Sequence, residues 1–397
     1  MKLQLYILFI VLLTTIVVSD NIKIKQKLKS NMITQYKLSP TEVDSLIDMF
    51  ADGVFYGRFR SNTFVYDNQD SSQDYTISGF GGSIIYKSGY LDRFGFTTGF
   101  YTTQNLLRMG NSQLDNYHGG KDTFSRYDMA SSGKSSIESL AQAFIEYRDD
   151  RSRIRFGRQL FESFLTKSND TKMIPNSFEG ITFNSIYIPS TKIKMAFLTK
   201  QKLRDHSKFH HIFAYGDNSN DNYAKWSEND DGAMHRGLTL SKLKDKGIDD
   251  ELIVIDIRNH SFENSTIKLN YTAVPELISY LMIEGSYKID FGKARIIPSI
   301  RFMHQFDNGA GDIAGANIKN NTIGYRDTNS LDSQLFASKV DFIQDIWSLR
   351  FGYSSVSDKA DIVAPWRGFP TGGYTRAMGQ TNWYANTDTY MLRGDYR

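Results

Sequence analysis

The chain has 397 residues, is 14% aromatic with 23 Tyr and 27 Phe, and carries 47 basic against 44 acidic side chains, a net charge of +3. So even a balance, with the basic residues dispersed rather than patched, excludes an electrostatic nucleic-acid footprint. Cysteine is absent, which excludes disulfides, thiolate metal sites and cysteine catalysis, and fits passage through an oxidising periplasm.

The chain begins with Lys2 and an almost wholly apolar run from Leu3 to Val18, followed by Ser19-Asp20. A short basic start and an apolar run of this kind predict a secretory signal peptide over residues 1–19. The alternative, a membrane anchor, needs about 20 apolar residues and finds slightly fewer. Nothing later approaches such a run, so the mature chain is expected to hold no transmembrane helix. A polar, lysine-rich stretch follows, and Pro40 to Ala51 predicts a turn or two of helix. Residues 20–50 therefore read as a periplasmic segment preceding a β domain over 51–397.

From Gly53 the side chains alternate with period two, the signature of strands. Arg58, Arg60 and Asn62 face one way, and Phe59, Ser61, Thr63 and Val65 the other. The pattern recurs at 80–86, 94–100, 141–148, 153–156, 181–187, 193–197, 267–273, 299–302, 348–353 and 390–396, and predicts about fifteen strands. Connections alternate in length. Tyr147 to Ser152, Ile188 to Ser190 and Asp290 to Lys293 are short; Asn105 to Ser135, Gln201 to Met234, Asn308 to Ser330 and Lys359 to Thr387 are long. Short turns at one end and long loops at the other are the habit of a transmembrane antiparallel β-barrel. A secreted soluble β protein, an adhesin or glycan binder using its aromatics as a stacking surface, also buries one apolar side, so alternation leaves both open. The barrel reading also accounts for a signal peptide without an anchor.

Enzyme signals are weak. Gly133-Lys134-Ser135 ends like a phosphate-binding loop, but Asp128 stands where its first glycine belongs. His206, His210 and His211 have metal-ligand spacing but lie in a polar loop, so no metal and no cofactor is expected. No nucleophile–base pair can be argued.

Strand phase places Arg58, Arg60, Arg153, Arg155, Lys194, Lys268, Arg301, Arg350 and Arg393 inside the barrel. An arginine fork suits carboxylates, and a row of them passes an anion from site to site. The same side chains have a second use, pairing with lumen acids such as Glu146, Asp341 and Asp395 to stiffen the wall.

Two longer motifs stand out. Gly157 to Gly180 reads GRQLFESFLTKSNDTKMIPNSFEG, and Ala364 to Thr387 reads APWRGFPTGGYTRAMGQTNWYANT, a Pro-, Gly- and Trp-rich loop of set shape. With the first strand, Ala51 to Arg60, they resemble the OprD-type outer-membrane porin family from about Ser45 to the end of the chain. The resemblance implies a barrel of about 18 strands in the Gram-negative outer membrane. It implies passive entry of small polar or anionic solutes, with carboxylate-bearing or amino-acid-like ones favoured. Lipid and lipopolysaccharide are the expected surroundings, as a monomer or homotrimer.

The resemblance also implies a pore narrowed by inward-folding loops and lined by a basic row. Ser168, Asn169, Asp170, Lys172, Ile174 and Pro175 match the first inward loop; Trp366, Arg367, Gly368, Tyr374, Thr375 and Arg376 match the second. Where Lys172 stands the family often has arginine. Asp170 with Lys172, and Arg367 with Arg376, are the expected constriction; Asp170 capping a turn is the alternative. Trp366 and Trp383 read as loop packing or an interface belt. The family continues beyond the position of Arg397, so the resemblance predicts that further C-terminal strands are missing and that closure of the sheet is in doubt.

Overall fold

The computed structural model describes residues 40–69, 74–110, 123–125, 128–129, 132–214, 216–217, 238–314, 324–377 and 381–396, and a short hairpin further upstream. The signal peptide read over 1–19 lies outside these residues. Residues up to Ser39 and those from Pro40 onward are separate compact units. In the first, β1 (Lys27–Leu28) pairs antiparallel with β2 (Thr34–Gln35).

The second unit opens with β3 (Glu42–Val43) and a short helix, α1 (Leu46–Ala51), whose N-cap Ser45 accepts the Asp48 amide at 3.1 Å. Then come β4 (Val54–Tyr66), β5 (Tyr75–Lys87), β6 (Tyr90–Leu91), β7 (Phe94–Gly110), β8 (Ser136–Arg148) and β9 (Ser152–Gln159). They are followed by β10 (Ser177–Ser185), β11 (Thr191–Lys202), the helix α2 (Leu240–Lys246), β12 (Leu252–Asn259) and β13 (Ser265–Val274). The last elements are β14 (Ile278–Tyr287), β15 (Ile289–Phe291), β16 (Ala294–Asp307), α3 (Ala310–Ala314), β17 (Ser333–Gln344), β18 (Trp347–Val356) and β19 (Thr387–Tyr396).

Each long strand pairs antiparallel with its neighbour in the chain, from β4 with β5 round to β18 with β19. With β6 extending β5 and β15 extending β14, the described residues form fourteen wall strands, against the fifteen or so expected. Among the described residues no register pairs β19 with β4, so the wall is barrel-ordered with an unjoined seam. Residues 42–51, read as preceding the barrel, are tied to it. β3 runs parallel to β6, and Gly89 donates to the Met49 carbonyl at 2.8 Å.

Alternation is what makes this wall a membrane wall. Phe55, Phe59, Phe80, Ile84, Phe100, Ile145, Phe156, Ile181 and Phe197 are all exposed on one face, and so are Ile283, Ile300, Phe302, Val340, Leu349, Phe351 and Leu392. Water does not tolerate so continuous an apolar band, and lipid requires it. At the short-turn end aromatic pairs cross between strands: Phe94 with Tyr147 at 5.1 Å and Trp347 with Tyr396 at 4.7 Å between ring centres. Such a girdle belongs at the lipid–water boundary. No described helix is long and apolar enough to span a membrane.

Short turns occupy 92–93, 149–151, 186–190, 260–264, 292–293 and 345–346. The other end carries the long connections, with one exception: β13 passes to β14 through Pro275-Glu276-Leu277 alone. Three expected loop boundaries shift. The strand preceding the first long loop runs to Gly110 rather than ending at Asn105, the loop after Lys202 reaches Glu251, and the loop before β17 reaches Asp332.

The principal core lies not in the wall but inside the long-loop end. Phe161, Leu165, Ile212, Phe213, Leu238, Leu243, Tyr280, Met303, Ile362, Val363, Trp366 and Trp383 are buried together. The Pro-, Gly- and Trp-rich loop rests on this core. Trp366 is fully buried, donates to the Ile212 carbonyl at 2.8 Å and meets Tyr280 edge-on with ring centres 5.9 Å apart.

Candidate constriction and its charged wall

The two inward loops touch each other. Lys167 donates to the Trp366 carbonyl at 3.0 Å, Gly368 to the Leu165 carbonyl at 2.7 Å, and the Asn169 amide side chain to the Arg367 carbonyl at 3.0 Å. Asn169 and Arg367 both take positive φ, 43° and 68°, the turns that bring the strands of contact together. The second loop also lies on the wall. A Cβ at Gly352 of β18 would sit 2.4 Å from the Tyr374 carbonyl oxygen, so only glycine lets the loop approach there.

Asp170 does not pair with Lys172. Its two oxygens take Arg58 at 2.6 Å and Arg60 at 2.7 Å, anchoring the first loop to β4 across the lumen side of the wall. Arg60 also donates to the backbone carbonyls of Asp170 and Lys172. Lys172 instead stands 4.8 Å above the Phe64 ring. Asp170 thus ties loop to wall through its side chain rather than capping a turn. Ser168 is buried, its hydroxyl and amide both directed to Glu162.

On the second loop Trp366 and Tyr374 are buried rather than exposed to a passage. Tyr374 lies beneath Arg301, whose guanidinium carbon is 4.4 Å from the ring centre, and burial pushes the phenol's pKa well up. Arg301 donates to the Pro370 carbonyl at 2.7 Å and the Gly372 carbonyl at 3.1 Å, so a wall arginine holds the loop's turn. Arg376 differs from the paired arginines of the wall. It stacks 3.5 Å over Phe369, and its electrostatic neighbours are Arg367 and Arg204, with no carboxylate among them. Burial first, then those two positive charges, lower its pKa from the ordinary guanidinium value. Arg204, missed in the sequence, enters from the loop after β11 and is positioned by Thr171 at 2.7 Å.

Most of the basic residues read onto the wall are paired. Glu146 takes Arg155 and, at 3.3 Å, Arg153. Glu284 takes Lys268 at 2.5 Å and Arg301. Asp341 takes Lys339 at 2.6 Å and Arg350 at 2.5 Å, and Arg393 pairs with Asp395 at 2.7 Å. Lys194 donates to the Glu162 carbonyl. Asp170, Glu146, Glu284 and Asp341 therefore follow one rule: one carboxylate between two bases. Each such group keeps a surplus positive charge while leaving none of its three ions without a partner. Glu284 and Lys339 escaped the sequence reading because their strands were not recognised; Tyr280 to Ile283 is apolar on both faces, so β14 shows no alternation there.

His206 and His210 sit in the loop after β11, their rings hydrogen-bonded at 2.7 Å. Among the described residues no group of acidic and histidine side chains is arranged to hold a metal ion.

Comparison with family models gives no match, and comparison with curated proteins gives none either. Comparison with solved structures is different. The chain superposes on Pseudomonas aeruginosa OccK8 (OprE) with a TM-score of 0.64 and 14% identity, over 88% of this chain and 80% of that one. Acinetobacter baumannii OccAB2 gives 0.63 and 13% over 88% and 78%. Pseudomonas aeruginosa OpdK, solved with vanillate, gives 0.61 and 12% over 88% and 78%. At such identities the likeness is one of fold: the chain folds as the OprD-type Occ porins do, the family that its two loop motifs resemble.

Proposed function

We propose that this chain is an outer-membrane porin, exported by a signal peptide over residues 1–19, through which small polar solutes diffuse passively with a preference for carboxylates or amino-acid-like anions. Residues 20–50 would be its periplasmic lead and 51–397 its barrel. Lipid and lipopolysaccharide would surround it, and it would act as a monomer or homotrimer. One observation carries the reading: Arg204, Arg367 and Arg376 converge where the two inward loops meet, and among the described residues no carboxylate is an electrostatic neighbour of Arg376. A cation with no partner acid at a narrowing attracts anions and releases them again. The wall groups of one acid between two bases supply the approach, since each keeps a net positive charge. Vanillate, the carboxylate held by one solved neighbour, is of the class such a passage would admit.

The test is the reversal potential across a planar bilayer under a salt gradient. Anion preference is expected, and a clear cation preference would sink the proposal. Fractionation with the outer membrane, resistance to extraction by salt, and a mobility change on boiling are expected of the purified protein.

A further inference from the structure

Cross-strand register reveals a row absent from the sequence reading. Lys192 of β11 lies opposite Arg258 of β12, which lies opposite Lys268 of β13. Lys268 lies opposite Glu284 of β14, and Glu284 opposite Arg301 of β16. Like charges directly opposite one another weaken a sheet. Three bases in direct register therefore cost the fold something, and a single acid offsets only one end of the row. Lys268 and Arg301 share Glu284. Lys192 and Arg258 are exposed, and among the described residues neither has an acidic partner. Lys192 stands beside the 186–190 turn and Arg258 beside the 260–264 turn, at the short-turn mouth.

A cavity of about 370 Å³ opens on the same mouth, lined by Lys192, Lys194, Arg151, Arg153 and Arg155, with Leu160 and Phe161 as its apolar side. Five bases and three acids, Asp149, Asp150 and Glu162, line it, and two of the acids are already engaged. Asp149 accepts the Ser152 hydroxyl at 2.7 Å, the Arg151 and Ser152 amides at 2.7 and 2.6 Å and the Tyr187 hydroxyl at 3.0 Å, and these bonds, the Ser152 hydroxyl's first, hold its pKa down to about 2. Glu162 accepts the amide and hydroxyl of Ser168.

We propose that this mouth is a second anion-binding station, distinct from the loop constriction, that takes a compact dianion between Lys192 and Arg258 with its body in the cavity. Two unpaired cations held on adjacent strands match two negative charges better than one. The station rests on the porin reading only for its role in transit; binding itself does not need conduction.

The experiment uses the full chain in detergent and in planar bilayers. Titration calorimetry with succinate and with inorganic phosphate, and with acetate as the monoanion, reads binding directly. Saturable binding of at least one dianion, ten-fold tighter than acetate, is expected for the unaltered protein. A Lys192→Gln/Arg258→Gln variant should lose ten-fold or more of that affinity while keeping its mobility shift on boiling, because both side chains are exposed and unpaired. In bilayers the same dianion should reduce current when added at the short-turn side, and the variant should need ten-fold more. Equal binding by variant and unaltered protein, or acetate binding as tightly as both dianions, overturns the station. A protein that conducts but shows no such binding refutes the station and leaves the porin reading intact. Dianion binding without conduction does the reverse.

Discussion

Gly368 rests on the backbone of Leu165. Its amide donates to the Leu165 carbonyl at 2.7 Å, and a Cβ built on it would lie 2.3 Å from the Leu165 Cα and carbonyl oxygen. The two residues belong to different long loops, and Thr166 bridges to Arg367 beside them. The candidate constriction is thus a joint between two loops, made where the second has no side chain.

Gly368→Ala should open that joint. No flexible side chain can move aside, because the obstacle is backbone, so one loop must shift. Overpacking of this kind costs about 1–3 kcal/mol. The expected result is a lower temperature for loss of the compact gel form and a changed single-channel conductance. A variant identical to the unaltered protein in both measurements would show that the loops do not need this approach.

Asp170 is the second anchor, and its loss should separate stability from selectivity. Its side chain is 6% exposed and those of Arg58 and Arg60 are 13% and 15% exposed. Removing one partner of a buried ion pair costs roughly 3–5 kcal/mol, because the remaining charge is left uncompensated. Asp170→Asn removes a negative charge between two arginines. The protein should lose thermal resistance and become more anion-preferring by reversal potential. A shift toward cations would mean that Arg58 and Arg60 do not face the passage.

Much of this was legible in the sequence, for physical reasons. Strands with one lipid face and one polar face show period two, so β4, β10 and β18 could be read directly. β12 reads Leu252-Ile253-Val254-Ile255, apolar on both faces, because its long-loop end packs against lipid outside and the loop core inside: Leu252 and Val254 are buried there. Such a strand loses its alternation. The short connection at Glu276 broke the rhythm of loop lengths for the same local reason, Leu277 being fully buried and its carbonyl accepting from Asn308 and Ala310. Ion pairs were the least legible. Arg60 and Asp170 are 110 residues apart, and period two gives a side chain's face but not its partner across the lumen.

The loop after β11 should respond to acid. Burial, its largest influence, lowers the His210 pKa from 6.5 to about 3, and the positive charges of His211 and Lys202 act in the same direction. His210 is therefore neutral in the folded loop, whereas a released loop would protonate near the ordinary value. The stability it contributes is complete above about pH 6.5 and falls steadily as the pH drops toward 3. Around it stand Lys202, His206, Asp205, His211 and Asp250, the last held by His211 at 2.9 Å. Hydrogen exchange at the Gln201 and His210 amides, which bond to each other's carbonyls, should quicken between pH 6.5 and 4. A His210→Gln variant should lose most of that pH dependence. Exchange that is flat over this window in the unaltered protein would remove the loop from the list of acid-sensitive parts.

Arg376 and Arg301 make opposite demands on the passage. Arg301 is 8% exposed, shares Glu284 and holds the carbonyls of Pro370 and Gly372, so its role is support. Among the described residues Arg376 has no acidic electrostatic neighbour and leans on a phenyl ring, which is why the proposed function assigns it the solute. Arg376→Gln should leave thermal resistance nearly unchanged, since a half-exposed cation–π contact is worth about 0.5–1 kcal/mol. It should reduce anion preference and weaken current block by small carboxylates several-fold. Arg301→Gln should do the reverse, leaving Glu284 with Lys268 alone, releasing the loop's turn and lowering thermal resistance by a larger margin. Measuring both variants by reversal potential and by boiling-dependent gel mobility separates the two roles. If Arg376→Gln lowers stability as much as Arg301→Gln and leaves selectivity untouched, then Arg376 is packing, and the charge that narrows the passage must be sought at Arg204 or Arg367.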